Sequence, residues 1–142
     1  MEKYVVQCSA IMKIKNPKEM KALGKKVKNF DQEVWDKVKY SIVLTGNYYK
    51  FSQNENLRDF LILTKNRILV EASPLDTIWG IGLGKDNEKV YNPNRWRGNN
   101  LLGFALMEIR DEIRNVYKNY SKINWNKISE EKWYNLFIQN IF

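Results

Sequence analysis

With 142 residues, 44% of them hydrophobic and 13% aromatic, the chain has the make-up of one folded domain with a real core, far from the composition of disorder. Its 24 lysines and arginines against 16 acids leave a formal charge of +8, which favours an anionic partner such as a phosphate-rich ligand or nucleic acid, beside the plainer reading of solubility. The lack of histidine excludes Ser-His-Asp and Cys-His triads and imidazole ligands, and a single cysteine, Cys8, excludes an internal disulfide and any cysteine-based zinc site.

In chain order, Tyr4, Val5, Cys8, Ile11 and Met12 recur at spacings of three and four, a helix stripe over residues 2–14 that Asn16-Pro17 should end. Pro17 can open a short helix to Leu23, with Gly24 just past its end. Asp31 suits a helix N-cap, followed by Val34, Trp35, Val38, Ile42 and Val43 on one face of a helix that runs past Gly46. Residues 55–64 carry Leu57, Phe60, Leu61 and Leu63 and predict a fourth helix. The apolar, branched run 67–72, between Asn66 and Ser73-Pro74, predicts a strand. Residues 73–98 hold glycines, prolines and asparagines without periodicity, and their tryptophans argue for an ordered, functional loop. Leu102, Ala105, Leu106, Ile109, Ile113 and Val116 then predict a long amphipathic helix over 99–117. The tail 118–142 is rich in Asn, Lys and aromatics, with a short helix expected from Ser129. No run is long and apolar enough for a membrane span, and the opening residues lack a signal-peptide layout, so a soluble cytoplasmic setting without a membrane partner is expected.

Gly80-Ile81-Gly82-Leu83-Gly84 suggests a dinucleotide loop, yet no helix follows it as that motif requires, and no phosphate-loop pattern occurs elsewhere. Without histidine, a cysteine pair or an activated serine, hydrolysis must use carboxylates. Asp76 follows a turn and precedes Trp79, an aromatic suited to stacking on a flat ligand; its plainer role is turn capping, and that of Trp79 is core packing. Glu71, a few residues earlier, is a second acid for which an outward-facing strand position is as good an account.

The run Leu69-Val70-Glu71-Ala72-Ser73-Pro74-Leu75-Asp76-Thr77-Ile78-Trp79-Gly80-Ile81-Gly82 resembles the signature of the NADAR, or YbiA-like, family. Further stretches match in order: Glu2-Lys3-Tyr4, Gly24-Lys25-Lys26-Val27, Trp35, Lys50-Phe51-Ser52-Gln53-Asn54, and Trp96-Arg97-Gly98-Asn99-Asn100-Leu101-Leu102-Gly103. The resemblance covers residues 2 to 114 and implies a mainly α, multihelical single domain with one or two short strands over 1–117, followed by an extension, 118–142. It further implies cleavage of N-glycosidic bonds between ribose and a heterocycle, with no metal or cofactor. The substrate classes it implies are ADP-ribose on guanine in nucleic acid and, as the alternative, ribosylamino intermediates of riboflavin synthesis. The partner is then an ADP-ribosylated nucleic acid or an ADP-ribose-like small molecule.

By the same resemblance Glu2 and Asp76 are the catalytic carboxylates, Glu2 orienting the ribose and the water. Trp35 and Trp79 would stack on the heterocycle, and Lys25, Lys50, Gln53 and Asn54 would meet phosphate or ribose hydroxyls. Backbone around Gly80 and Gly82, and the helix start near Gly98 and Asn100, are expected to offer amides to an anion. The family also carries a pocket-walling segment upstream of its Glu-x-Tyr element, which is expected to be absent here because Met1 directly precedes Glu2. A truncated, non-catalytic ADP-ribose-binding module is therefore a third expectation.

Overall fold

Short polar side chains set the helix starts. Asn16 Oδ1 accepts from the Lys18 amide at 2.9 Å ahead of α1 (Pro17–Gly24), and Asp31 Oδ1 accepts from Glu33 and Val34 at 2.9 and 3.0 Å ahead of α2 (Gln32–Gln53). Asn54 Oδ1 accepts from Leu57 at 3.2 Å ahead of α3 (Glu55–Leu63). In each case a side-chain oxygen satisfies an amide that the first helical turn leaves without a partner. The fourth helix, α4 (Leu101–Tyr120), starts differently, as described below. These elements come from a computed structural model that describes residues 12–122. The expected first helix, Glu2, Cys8 and the tail from Ile123 lie outside the described residues.

The chain divides into two compact units, residues 1–38 and 39–142, with the boundary inside α2. In the first, Phe30 and Trp35 pack as a tilted aromatic pair, ring centroids 6.1 Å apart. Gly24 is the last residue of α1 instead of the residue beyond it. The helix closes at Lys25 in the right-handed region, φ −66°, and so needs no left-handed glycine.

In the second unit α3 and α4 pack together. Leu61, Ile109 and Ile113 are buried, and Leu44, Tyr48, Phe51, Ile62, Leu69 and Leu106 close around them. Ile81, Leu83 and Ala105 are also buried, so the glycine-containing loop contributes core side chains of its own. The described part of the chain is mainly helical, as expected, but it contains no β-strand.

The run 67–72 is the correction. Several of its backbone groups are taken up by side chains of α4 and its cap. Asn100 Oδ1 accepts from the Glu71 amide at 3.0 Å while Asn100 Nδ2 donates to the Leu69 carbonyl at 2.9 Å. Arg110 Nη1 donates to the Arg67 carbonyl at 2.8 Å and to Thr64 Oγ1 at 3.1 Å. One asparagine amide thus does for residues 69 and 71 what a neighbouring strand would do, and the apolar pattern packs against helix. Branched apolar residues favour an extended backbone, yet a ladder requires a second strand, and here a helix start occupies its place.

Candidate functional site

The loop between Glu71 and Gly84 folds back on itself through its own carbonyls. The Ile81 amide donates to the Glu71 carbonyl and the Gly82 amide to the Asp76 carbonyl, each at 3.0 Å. Asp76 Oδ1 accepts from the Ile78 and Trp79 amides at 3.0 and 2.7 Å, which fixes the carboxylate at the head of a tight turn, half-buried. Trp79, also half-buried, is thereby held by its backbone three residues after the acid.

The same turn caps α4. The carbonyls of Thr77, Gly80, Ile78 and Trp79 accept from the amides of Asn99, Asn100, Leu101 and Leu102, at 2.9, 3.0, 3.3 and 3.1 Å. Those amides at the helix start would otherwise suit an anion. The loop carbonyls occupy them, and this places the Asp76 turn against the start of α4, the most buried helix among the described residues. Close backbone contact makes it possible: a Cβ on Gly98 would meet the Gly80 carbonyl and the Thr77 backbone, and one on Gly103 would meet the Leu69 carbonyl and the Asn100 amide. Asn100 itself sits at φ 52°, a left-handed position that asparagine tolerates better than most residues.

The residues that the sequence singled out fall into three groups. Asp76, Trp79, Gly80 and Gly82 share one loop, and Gly98 and Asn100 lock it to α4. Gly80 and Gly82 are buried, and the Ile81 and Gly82 amides are bonded internally, so this backbone serves the turn. Asn100 is fully buried and its amide holds the segment that carries Glu71, which makes it scaffold. Lys50, Gln53 and Asn54 form a second group at the α2–α3 junction, all exposed. Lys50 Nζ lies 5.6 Å from the Phe51 ring centre and Asn54 caps α3. Lys25 and Trp35 belong to the first unit, Lys25 exposed and Trp35 half-buried, and Glu2 lies outside the described residues.

Phe51, next to Lys50, does reach the loop's surroundings. It lines a cavity of about 200 Å³ together with Leu69, Glu71, Leu102 and Gly103. Glu71 is half-buried there, its Cγ beside Gly80, and its carboxylate has no hydrogen-bond or ion-pair partner among the described residues. The sequence weighed Glu71 evenly and did not reveal the cavity, because an apolar wall drawn from α2, α3 and α4 has no local signature. Among the described residues no cluster of three or more acids or cysteines could hold a metal ion, and no helix is long and apolar enough to cross a membrane.

The motifs at this loop, at residues 50–54 and at the start of α4 are those that carry the family resemblance, and the NADAR domain model matches residues 2–114. The chain belongs to the NADAR family. The relatives it matches include N-glycosidase R617 of Acanthamoeba polyphaga mimivirus, 47% identical over 110 residues, 78% of this chain and 61% of that protein. N-glycosidase Npun_R5314 of Nostoc punctiforme is 36% identical over 100 residues, 70% of this chain and 57% of the relative. The chloroplastic riboflavin biosynthesis protein PYRR of Zea mays is 34% identical over 103 residues, 70% of this chain but 15% of the relative. The chain thus spans less than two thirds of each relative's length. In the NADAR domain of this chain, the family's acidic turn and its Gly-x-Asn-x-Leu-Gly helix start are one hydrogen-bonded unit, although the two motifs are separate in sequence.

Proposed function

We propose that this NADAR domain is an N-glycosidase that hydrolyses the bond between a ribose and a heterocycle, and that its substrate is ADP-ribose attached to guanine in nucleic acid. The observation that carries the reading is the Asp76 turn, a carboxylate anchored by two backbone amides three residues before a half-buried tryptophan and locked to α4. Family membership and the names of the mimiviral and Nostoc relatives support it.

In the reaction a water oxygen bonds to the anomeric carbon as the carbon–nitrogen bond breaks. The electron pair of that bond passes to the guanine nitrogen, which takes up the proton the water gives up, so that unmodified guanine, still in its strand, and free ADP-ribose with a new anomeric hydroxyl result. Positive charge grows on the sugar as the base departs, and a fixed carboxylate stabilises it and relays the water's proton. Asp76 takes that part, and Trp79 stacks on the heterocycle or the adenine. By resemblance alone, Glu2 orients ribose and water and Trp35 is a stacking residue. The exposed Lys50 and Gln53 meet phosphate or ribose hydroxyls.

The test is release of ADP-ribose from an ADP-ribosylated guanine oligonucleotide by the chain and by its Glu2→Ala and Asp76→Asn variants. Release that both substitutions abolish supports the reading. The maize relative's name favours a second one, a ribosylamino intermediate of riboflavin synthesis as substrate. Base release from that small molecule, with none from the oligonucleotide, would select it. Tight ADP-ribose binding without turnover of either would instead mark a binding module.

A further inference from the structure

Beyond Gly84 the chain turns outward into a second loop, which the proposed chemistry does not use. Two short 3-10 turns, Glu88–Tyr91 and Pro93–Arg95, form it. Each is capped by an asparagine: Asn87 Oδ1 accepts from the Lys89 amide at 3.0 Å and Asn92 Oδ1 from the Asn94 amide at 3.1 Å. Trp96 Nε1 donates to the Val90 carbonyl at 2.8 Å and ties the two turns together. These bonds, with the Arg97 amide on the Ile81 carbonyl at 2.8 Å, fix the loop, and Tyr91, the last residue of its first turn, is 88% exposed. In the same segment Lys85, Lys89, Arg95 and Arg97 are exposed and make no ion pair among the described residues. Lys89, Arg95 and Glu88 share one hollow of about 460 Å³.

We infer that this face of the loop is a docking surface for a single nucleic-acid strand. A base stacks on the ring of Tyr91, while Lys89 and Arg95 take the phosphates on either side. A held, solvent-facing aromatic ring offers stacking with little ordering cost, and every base has a face to give it. Cations without partners release bound counterions and gain contacts, whereas paired ones would first have to lose a partner. The segment carries four cations against two acids, Asp86 and Glu88, in a chain of net charge +8. The proposal rests on the N-glycosidase reading only in that it names a strand as the carrier of the modified base.

The experiment measures fluorescence anisotropy of a labelled, unmodified single-stranded oligonucleotide with the full chain over a range of salt. The expected result is roughly tenfold weaker binding for Tyr91→Ala. For Lys89→Ala, the slope of log affinity against log salt should shrink by about 0.7. Glu88→Gln, which removes the acid from the hollow, is expected to bind several-fold more tightly. Tyr91→Ala binding within about twofold of the parent, with Glu88→Gln unchanged, would overturn the surface, as would a polyglutamate peptide that displaces the strand as well as a second strand does. Because no bond is cleaved in this assay, Tyr91-dependent binding by a chain that releases no ADP-ribose supports the surface and sinks the proposed reaction. Release of ADP-ribose without Tyr91-dependent binding does the reverse.

Discussion

Two consecutive loops, 71–84 and 85–97, lack regular secondary structure and are built in opposite ways. The first spends its carbonyls on the start of α4 and buries Ile81 and Leu83, and its glycines let backbone touch backbone. The second bonds mostly to itself through asparagine caps and one indole, touches the first where the Arg97 amide donates to the Ile81 carbonyl at 2.8 Å, and keeps its charges and Tyr91 in water. Reaction geometry demands fixed placement, which comes from a loop wedged into the core. A long polymer would demand reach and charge, which a loop facing water can supply. Irregular backbone is thus no single category. What matters is whether its polar groups are satisfied by the rest of the fold or by the loop itself.

The largest break in that comparison should come at Asp76. In Asp76→Asn the side-chain oxygen still accepts from Ile78 and Trp79, so the turn persists while the charge is lost. Release of ADP-ribose is expected to fall about 10²–10⁴-fold, as measured by timed product release. If activity survives in Asp76→Asn, the acid is a turn cap and nothing more.

Next come the glycines. Gly103→Ala sets a methyl against the Leu69 carbonyl and the Asn100 amide, and Gly98→Ala sets one against Gly80 and Thr77. Backbone held by hydrogen bonds has nowhere to retreat, so each should destabilise the chain by about 3 kcal/mol in urea titrations. Gly84→Ala, at the junction of the loops, meets nothing within 4 Å and should stay within about 0.5 kcal/mol of the parent. Equal effects at all three would mean that the first loop is not wedged.

Asparagines sharpen the contrast further. Asn100→Gly keeps the left-handed backbone and deletes only the amide, leaving the Leu69 carbonyl and Glu71 amide without partners. A loss of about 2–4 kcal/mol is expected. Asn92→Ala, which removes a cap of the exposed loop, should cost about 1 kcal/mol, since water replaces the bond.

The sequence read the helices well because their signals are local: Asp31 as a cap and the apolar spacing of α3 and α4 needed no distant information. It misread 67–72 because a branched apolar run declares that it will be extended and buried, and says nothing of what lies beside it. Only the fold reveals that Asn100 supplies the pairing groups. The same limit applies at the site. Asp76 and Trp79 stood out through composition and family motif, whereas Glu71 facing the cavity with Phe51 depends on three elements meeting. Gly98 and Asn100 were read as anion contacts because a helix start looks open in sequence, yet the 77–80 carbonyls close it. Tyr91 gave no signal at all, for a tyrosine in an Asn-rich stretch reads the same whether packed or exposed.

The smallest expected effect lies outside both loops and serves as their control. Tyr40 donates its hydroxyl to Glu108 at 2.9 Å, linking α2 to α4. Burial first, then the hydrogen bond to Glu108 and its negative charge, push the Tyr40 phenol up to about 12. The unfolded chain releases that proton near pH 10, so between about 10 and 12 the folded state binds more protons than the unfolded state, and stability falls as pH rises through this window. Below about pH 10 the contribution is fully present. Tyr40→Phe cannot ionise, so the parent-minus-variant difference in unfolding midpoint should be flat from pH 7 to 9 and decline above 10. A substitution in this frame leaves the Asp76 turn and the Tyr91 turn in place. If Tyr40→Phe altered strand binding at neutral pH, the Tyr91 surface would depend on the α2–α4 frame as well as on its own bonds, and the proposed division of labour between the loops would be lost.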